Sequence, residues 1–113
     1  MKIKGMILGG GGATIAPTLW GRSVDLDDDG SFSLPQASNS QRGSVQLGDL
    51  EEYAEFAADH SGNVTLLLNS ANVVANSDTD GKLCIGTAAA QSPLVIKNRK
   101  GASKVVNAMI WGT

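Results

Sequence analysis

Val64-Thr-Leu-Leu-Leu-Asn-Ser-Ala-Asn-Val-Val-Ala-Asn-Ser-Asp-Thr-Asp-Gly-Lys-Leu-Cys-Ile85, followed by Leu94-Val-Ile-Lys-Asn-Arg-Lys-Gly101 and Val105-Val-Asn-Ala-Met-Ile-Trp111, is the stretch that decides the fold class. Short apolar runs recur at 64–68, 73–74, 83–85, 94–96 and 105–111. Turn-forming residues separate them: Asn69-Ser70, Asp80-Gly81, Ser92-Pro93 and the polar segment 98–101. Short strands punctuated this often read as a small antiparallel β-sandwich or a barrel-like sheet. Leu66, Leu67 and Leu68 in a row leave that strand apolar on both faces. Such a strand needs a second covering layer, which another subunit can supply.

Working outward toward the N-terminus, Ser44-Val-Gln-Leu47 alternates and reads as a strand with Val45 and Leu47 on one face. Residues 49–66 allow two readings. Leu50, Tyr53, Ala54 and Ala57 fall at helical spacing, with Asp49 and Glu52 placed as a capping box and Gly62 as a stop. The other, a strand, a Ser61-Gly62 turn and a second strand over residues 55–66, is implied by the family resemblance described below. Further back, Val24-Asp-Leu-Asp-Asp-Asp-Gly-Ser-Phe-Ser-Leu-Pro35 has an Asp-Gly turn between alternating apolar residues, which predicts a β-hairpin. The first twenty residues carry Ile3, Met6, Ile7 and Leu8, then four glycines at 9–12, then Pro17 and Trp20. Four glycines hold no regular element by propensity, so this segment reads as an extended N-terminal arm able to lie over a neighbour. The division that follows is 1–35 for arm and hairpin, and 36–113 for a β-rich head.

Composition bounds the stability. The chain has 113 residues with fourteen Gly against two Trp, two Phe and one Tyr. A domain of this size buries only about two thirds of its unfolded surface. Few large side chains make a thin core, which predicts that a partner subunit adds stability. The net charge of -2 gives no sign of nucleic-acid binding. It is unevenly spread: residues 1–63 carry -5 and residues 64–113 carry +3. Opposed halves can orient neighbouring subunits or can be ordinary solvated surface. No apolar segment reaches membrane-spanning length, so no membrane partner is expected. With Cys84 as the single cysteine, an internal disulfide is impossible, which fits synthesis in a reducing cytoplasm.

Chemistry is sparse. Asp25-x-Asp27-x-Asp29-Gly30 and Asn76-x-Asp78-x-Asp80-Gly81 match the first half of a calcium loop. Both lack the bidentate Glu at the twelfth position and both lie in turns, where Asp and Gly are favoured for backbone reasons. They are candidate metal ligands only in that weak sense, and no cofactor is expected. Glycines 9–12 lack the Gly-Lys-Ser/Thr of a phosphate loop. His60 has only adjacent Asp59 and Ser61 beside it, which is not a triad geometry. Cys84, between Leu83 and Ile85, reads as a buried small hydrophobe. Lys97, Arg99, Lys100 and Lys104 form a basic cluster that either grips an acidic neighbour surface or anionic glycan, or is a solvated turn. For the two tryptophans, Trp111 is expected in the core and Trp20 at an interface. The interface set read from the sequence is Trp20, Ile7, Leu8, Val45 and Leu47. No enzymatic activity is expected.

The order of several pieces resembles bacteriophage fibre and capsid-surface proteins. These pieces are the Ser/Asn-rich run into Gly43-x-Val45-x-Leu47, then Gly62-Asn-Val-Thr-Leu-Leu, then Ala71-Asn-Val-Val-Ala-Asn-Ser-Asp-Thr-Asp-Gly-Lys-Leu-Cys-Ile, then Ile96-Lys-Asn-Arg. The resemblance covers residues 36–113. It implies a structural virion protein, homotrimeric, on the capsid surface as a decoration or short head-fibre protein, with the major capsid protein or another virion protein as partner. The chain has no internal repeat, unlike a fibre shaft. A receptor- or glycan-binding fibre tip is the alternative; the low aromatic count argues against it.

Overall fold

The computed structural model describes residues 18–36 and 39–112, and these are all-β, with no helix among them. Nine strands run in chain order: β1 (Thr18–Leu26), β2 (Ser31–Ser33), β3 (Ser40–Leu47), β4 (Tyr53–Asp59), β5 (Val64–Asn69), β6 (Val73–Ala75), β7 (Leu83–Ile85), β8 (Val95–Asn98) and β9 (Lys104–Gly112). They form a five-stranded sheet of order β1-β9-β3-β4-β5 and a four-stranded sheet of order β2-β8-β7-β6. All pairings are antiparallel except β6 with β7.

Period-two alternation builds the five-stranded sheet. On β3 the buried positions are Gln41, Gly43, Val45 and Leu47; on β4 they are Ala54, Phe56 and Ala58; on β9 they are Val106, Ala108 and Ile110. Phe32, Val73, Leu83, Ile85 and Ile96 from the smaller sheet complete one continuous cluster with them. The interior therefore closes within a single chain. Side chains of modest size suffice because they interdigitate closely. Gly43 shows how closely: a Cβ there would overlap the Phe56 ring and lie 2.7 Å from Ile110 Cδ1.

Residues 49–66 adopt the hairpin and not the helix. The helical spacing of Leu50, Tyr53, Ala54 and Ala57 leaves out Phe56, and the alternation of Ala54, Phe56 and Ala58 takes that ring to the core. Asp49 still bonds a backbone N–H, that of Glu51 at 3.0 Å, as a two-residue turn in place of a cap. Gly62, at φ 85°, closes β4 onto β5 with its N–H on the Asp59 carbonyl at 3.0 Å.

The hairpin expected around Gly30 is not formed. The turn is present, with Gly30 N–H donating to the Asp27 carbonyl at 2.9 Å and Asp29 at φ 66°. The strands on either side separate: β1 pairs with β9 in one sheet, and β2 with β8 in the other. Residues 18–33 and 95–112 thus make one long antiparallel ribbon that bends from sheet to sheet. Asn98, fully buried, sits at the bend. Its Nδ2 donates to the carbonyls of Leu26 (3.1 Å), Asp27 (3.3 Å) and Ala102 (2.8 Å), and its Oδ1 accepts from Lys100 N–H (2.9 Å). The carbonyls of Leu26 and Asp27, which a hairpin would offer to the returning strand, are thereby occupied.

Two outcomes test this account. Asn98→Ala orphans the one fully buried carbonyl acceptor and weakens two others, at about 1–3 kcal/mol for each buried group left unmade. A loss of ~2–4 kcal/mol in urea denaturation is expected; a loss under ~1 kcal/mol would show that the bend holds without the amide. Gly43→Ala overpacks the core and costs ~1–3 kcal/mol. Gly21→Ala is neutral or stabilising by ~0.5–1 kcal/mol, because the nearest atom to a Cβ there is the Ala108 carbonyl oxygen at 3.8 Å. Equal effects at the two glycines would refute the packing argument.

Candidate assembly surface

The outer face of the five-stranded sheet is where this structure departs from an ordinary monomer surface. The run 105–111 is apolar on both faces of β9. Val106, Ala108 and Ile110 point inward, so Val105, Met109 and Trp111 point outward and are exposed. On β1 the opposing residues are Leu19 across from Trp111, Gly21 across from Met109 and Ser23 across from Asn107. On the other side of β9, β3 places Arg42, Ser44 and Gln46 opposite the same three positions.

Met109 therefore stands between two small residues, Gly21 and Ser44. The result is a trough of about 560 Å³ lined by Gly21, Ser23, Ser44, Gln46, Asn107 and Met109, among others. Ser23 Oγ donates to Asn107 Oδ1 at one end. Leu19 is 71% exposed, Met109 50% and Trp111 40%. A second group, Leu50, Tyr53, Leu67 and Leu68, is exposed around the β4–β5 side, where Ser44, Gln46, Leu50, Tyr53, Glu55 and Leu68 share a cleft. Clustered exposed apolar side chains rimmed by polar ones mark interaction sites; scattered single ones need no explanation.

None of the sequence-derived interface residues is placed on this surface among the described residues. Val45 (1% exposed) and Leu47 (0%) are core residues and cannot meet a partner. Trp20 is half-buried and packs against the core, while Trp111 is exposed, so the expected roles of the two tryptophans are reversed. The cause is strand parity. Trp20 shares the inward side of β1 with Leu26, and Trp111 falls one residue out of phase with Val106, Ala108 and Ile110. Ile7, Leu8 and glycines 9–12 lie outside the described residues. Leu19, Met109 and Tyr53 were missed, while Leu68 was singled out within the run 66–68. The doubly apolar runs 66–68 and 105–111 were the available signal.

The acidic turns engage cations of the chain itself. Asp78 accepts from Lys97 Nζ and from Arg99 Nη1, both at 2.9 Å, and Asp80 from Arg99 Nη2 at 3.4 Å. Asn76 bridges the Val64 N–H and carbonyl, each at 2.9 Å. In the other loop, Asp29 lies 3.0 Å from Arg99 Nε as a charge contact, not an aligned hydrogen bond. Asp27 accepts from Ser103 Oγ, Asp28 from Gly101 N–H, and Asp25 is exposed on β1 opposite Val105. Among the described residues no three potential ligands converge.

The basic cluster is paired with carboxylates of the chain itself. Lys97 and Arg99 hold the 78–80 loop. Lys104 Nζ sits 2.7 Å from Asp49 and 3.2 Å from Glu51, and Lys100 Nζ 2.6 Å from Glu52. Glu52 and Lys100 are both nearly buried, and Glu52 also accepts from Ser70 Oγ (2.7 Å) and Asn72 N–H (3.1 Å). The opposed charges of the two halves meet inside one molecule.

Cys84 is fully buried, burial pushes its thiol up, and its nearest polar contacts are the carbonyls of Thr79 (3.6 Å) and Lys82 (3.9 Å). His60 is exposed, and its carbonyl accepts from Gln36 Nε2 at 3.4 Å. Among the described residues no helix is long and apolar enough to cross a membrane. No family model, no curated protein and no solved structure matches the chain.

Burial raises the Glu52 carboxyl, but the hydrogen bonds from Lys100, Ser70 and Asn72 outweigh it and hold Glu52 below its ordinary value of 4.5. A carboxyl depressed in the folded state stabilises above its unfolded value, and that contribution is lost as pH falls through the folded one. Asp49, Asp59 and Asp78, lowered by their own hydrogen bonds, act in the same direction. Glu52→Gln breaks the buried pair and is expected to cost about 3–5 kcal/mol at neutral pH. Urea midpoints across a pH series should then fall less steeply below about pH 4.5 in the variant than in the parent. Parallel curves would show that Glu52 carries none of the acid sensitivity.

Proposed function

We propose that this protein is a structural component of a bacteriophage virion, made in the host cytoplasm and assembling as a homotrimer on the capsid exterior. Its role there is capsid decoration or a short head fibre, with the major capsid protein or another virion protein as the further partner. In this reading the two sheets are layers of a sandwich-type head to which β1 and β2 themselves belong; the rest of the expected arm, residues 1–17, lies outside the described residues. The observation that carries the reading is the apolar outer face of the five-stranded sheet, centred on Leu19, Met109 and Trp111. The order of fibre-like segments in residues 36–113 supports the virion context.

Magnitudes set what the contact must include. Covering three part-exposed side chains contributes about 1 kcal/mol each. Association costs on the order of 4–15 kcal/mol. The Leu19–Met109–Trp111 group alone falls short. The reading therefore requires the Tyr53–Leu68 group to be covered as well, which a copy flanked by two neighbours around a three-fold axis achieves.

A second reading rests on one feature of the same face. The trough sets the amides of Gln46 and Asn107 and the hydroxyls of Ser23 and Ser44 beside Met109, with Trp111 two residues farther along the same face of β9, groups suited to a sugar in a receptor-binding tip.

Sedimentation at micromolar concentration is expected to give a trimer. Met109→Glu is expected to give monomers that keep the parent's far-UV circular dichroism, since the side chain is half exposed on the outer face, and that melt below the parent because the stabilisation by association is lost. Purified protein should bind saturably to capsid shells stripped of surface proteins. A parent chain that sediments as a monomer and ignores such shells refutes the proposal, and binding to host envelopes instead would select the sugar-binding reading.

A further inference from the structure

Each sheet has two edge strands, and three of the four edges are poor templates for pairing. β2 and β6 have three residues each, and β5 carries a register shift opposite Glu55/Phe56. Short strands, bulges and charged side chains are the usual protections against edge-to-edge association. β1 is neither short nor bulged, and its charges are Arg22 and Asp25. It is nine residues long, pairs with β9 in unbroken register from Thr18 to Leu26, and among the described residues has no strand on its other side.

Gly21 lies near the middle of this strand. Its absent Cβ would project from the outer face beside Met109, so the position leaves the in-plane N–H and C=O groups of the edge unobstructed.

We propose that the free edge of β1 pairs antiparallel with β1 of a second copy about a two-fold axis through Gly21, giving one continuous sheet across two molecules. Directly opposed residues in an antiparallel pair share a face, so the axis must pass through a residue position. An axis at Arg22 sets two guanidinium groups against each other, which is destabilising. Axes at Trp20 or Val24 pair only short segments. An axis at Ser23 pairs 20–26 but leaves Arg22 opposite the partner's Val24. The axis at Gly21 pairs 18–24, sets Trp20 opposite the partner's Arg22 twice over, and leaves Asp25 outside the overlap. A guanidinium over an indole is favourable, so this register combines length with complementarity. The pairing runs in the plane of the sheet, and the face contact proposed above runs out of that plane. The two do not compete, and β1 pairing would join one trimer to the next.

Cysteine cross-linking reads this register directly. Opposed Cα atoms in an antiparallel pair are about 4.5–5.5 Å apart, within disulfide reach. Full-length Gly21→Cys, oxidised with oxidised glutathione at micromolar concentration, is expected to shift almost completely to a band of twice the mass on a non-reducing gel. Ser23→Cys and the parent chain should stay at single mass, the buried Cys84 remaining silent. Failure of Gly21→Cys to cross-link, or cross-linking by Ser23→Cys in its place, overturns the proposal. So does a cross-link that appears only after residues 1–16 are deleted, since the chain's own N-terminal segment would then cover the edge. Repeating the experiment in Met109→Glu separates the two interfaces: the trimer is lost and the Gly21 cross-link persists.

Discussion

The fold depends on a buried amide at a bend. Asn98 has no exposed surface, yet it carries a donor group that would be costly to bury alone. It solves this by holding the carbonyls of Leu26, Asp27 and Ala102 where both crossing segments of the long ribbon turn from one sheet to the other. Its backbone does the same work: Asn98 N–H donates to the Gly30 carbonyl, and the Asn98 carbonyl accepts from Asp29 N–H. A sharp bend leaves backbone groups without ladder partners, and such groups cannot stay unpaired when buried. One side chain with the right mixture of donors and acceptors answers most of them. This is why the two sheets can share four chain segments at one corner and still enclose one core.

Charge closes the same end of the molecule. The acidic residues 49–52 and the basic residues 100–104 are remote in sequence but meet beside the bend. The exposed pairs contribute little individually. The Glu52–Lys100 pair is different, because it is nearly buried and its carboxylate is further satisfied by Ser70 and Asn72. Buried pairs of this kind are weak as sources of net stability and strong as constraints, since either charge left alone is heavily penalised. They fix the position of the loop before β9 relative to the turn before β4.

The class of fold was legible because alternation is local. Val45 and Leu47, or Leu83 through Ile85, announce strands without reference to anything distant. Pairing was not legible. The Asp-Gly turn at 29–30 is real, but its partners were decided seventy residues away at Asn98, which looks in sequence like any polar turn residue. The helix at 49–57 was a coincidence of spacing, rejected because the bulkiest side chain, Phe56, lay on the wrong side of it. Acidic turns that resembled calcium loops were read correctly as turns, but the cations that engage them, Lys97 and Arg99, lie some twenty residues on. Two of the expected interface residues proved to be core for a related reason. Alternating residues such as Val45 and Leu47 are the ones a sheet buries in its own core. Residues that break the alternation, such as Met109 and Trp111, are left outside.

That distinction changes the argument for assembly. A thin core would have made association a condition of folding, and removing a partner would then unfold the chain. The interior here is complete, with Phe56, Leu47, Leu83 and Ile96 all fully covered by the chain itself. What is incomplete is the outer face of one sheet and one long edge. Surfaces of that kind leave the subunit folded before it meets its neighbours. Such a subunit arrives preorganised, loses little conformational freedom on binding, and can add to a lattice one copy at a time. Affinity at each contact need not be high, because repeated contacts on a shared scaffold sum through effective concentration. The small residues around Met109, Gly21 and Ser44, suit such a role: they open space on the outer face that a group from outside the chain would fill.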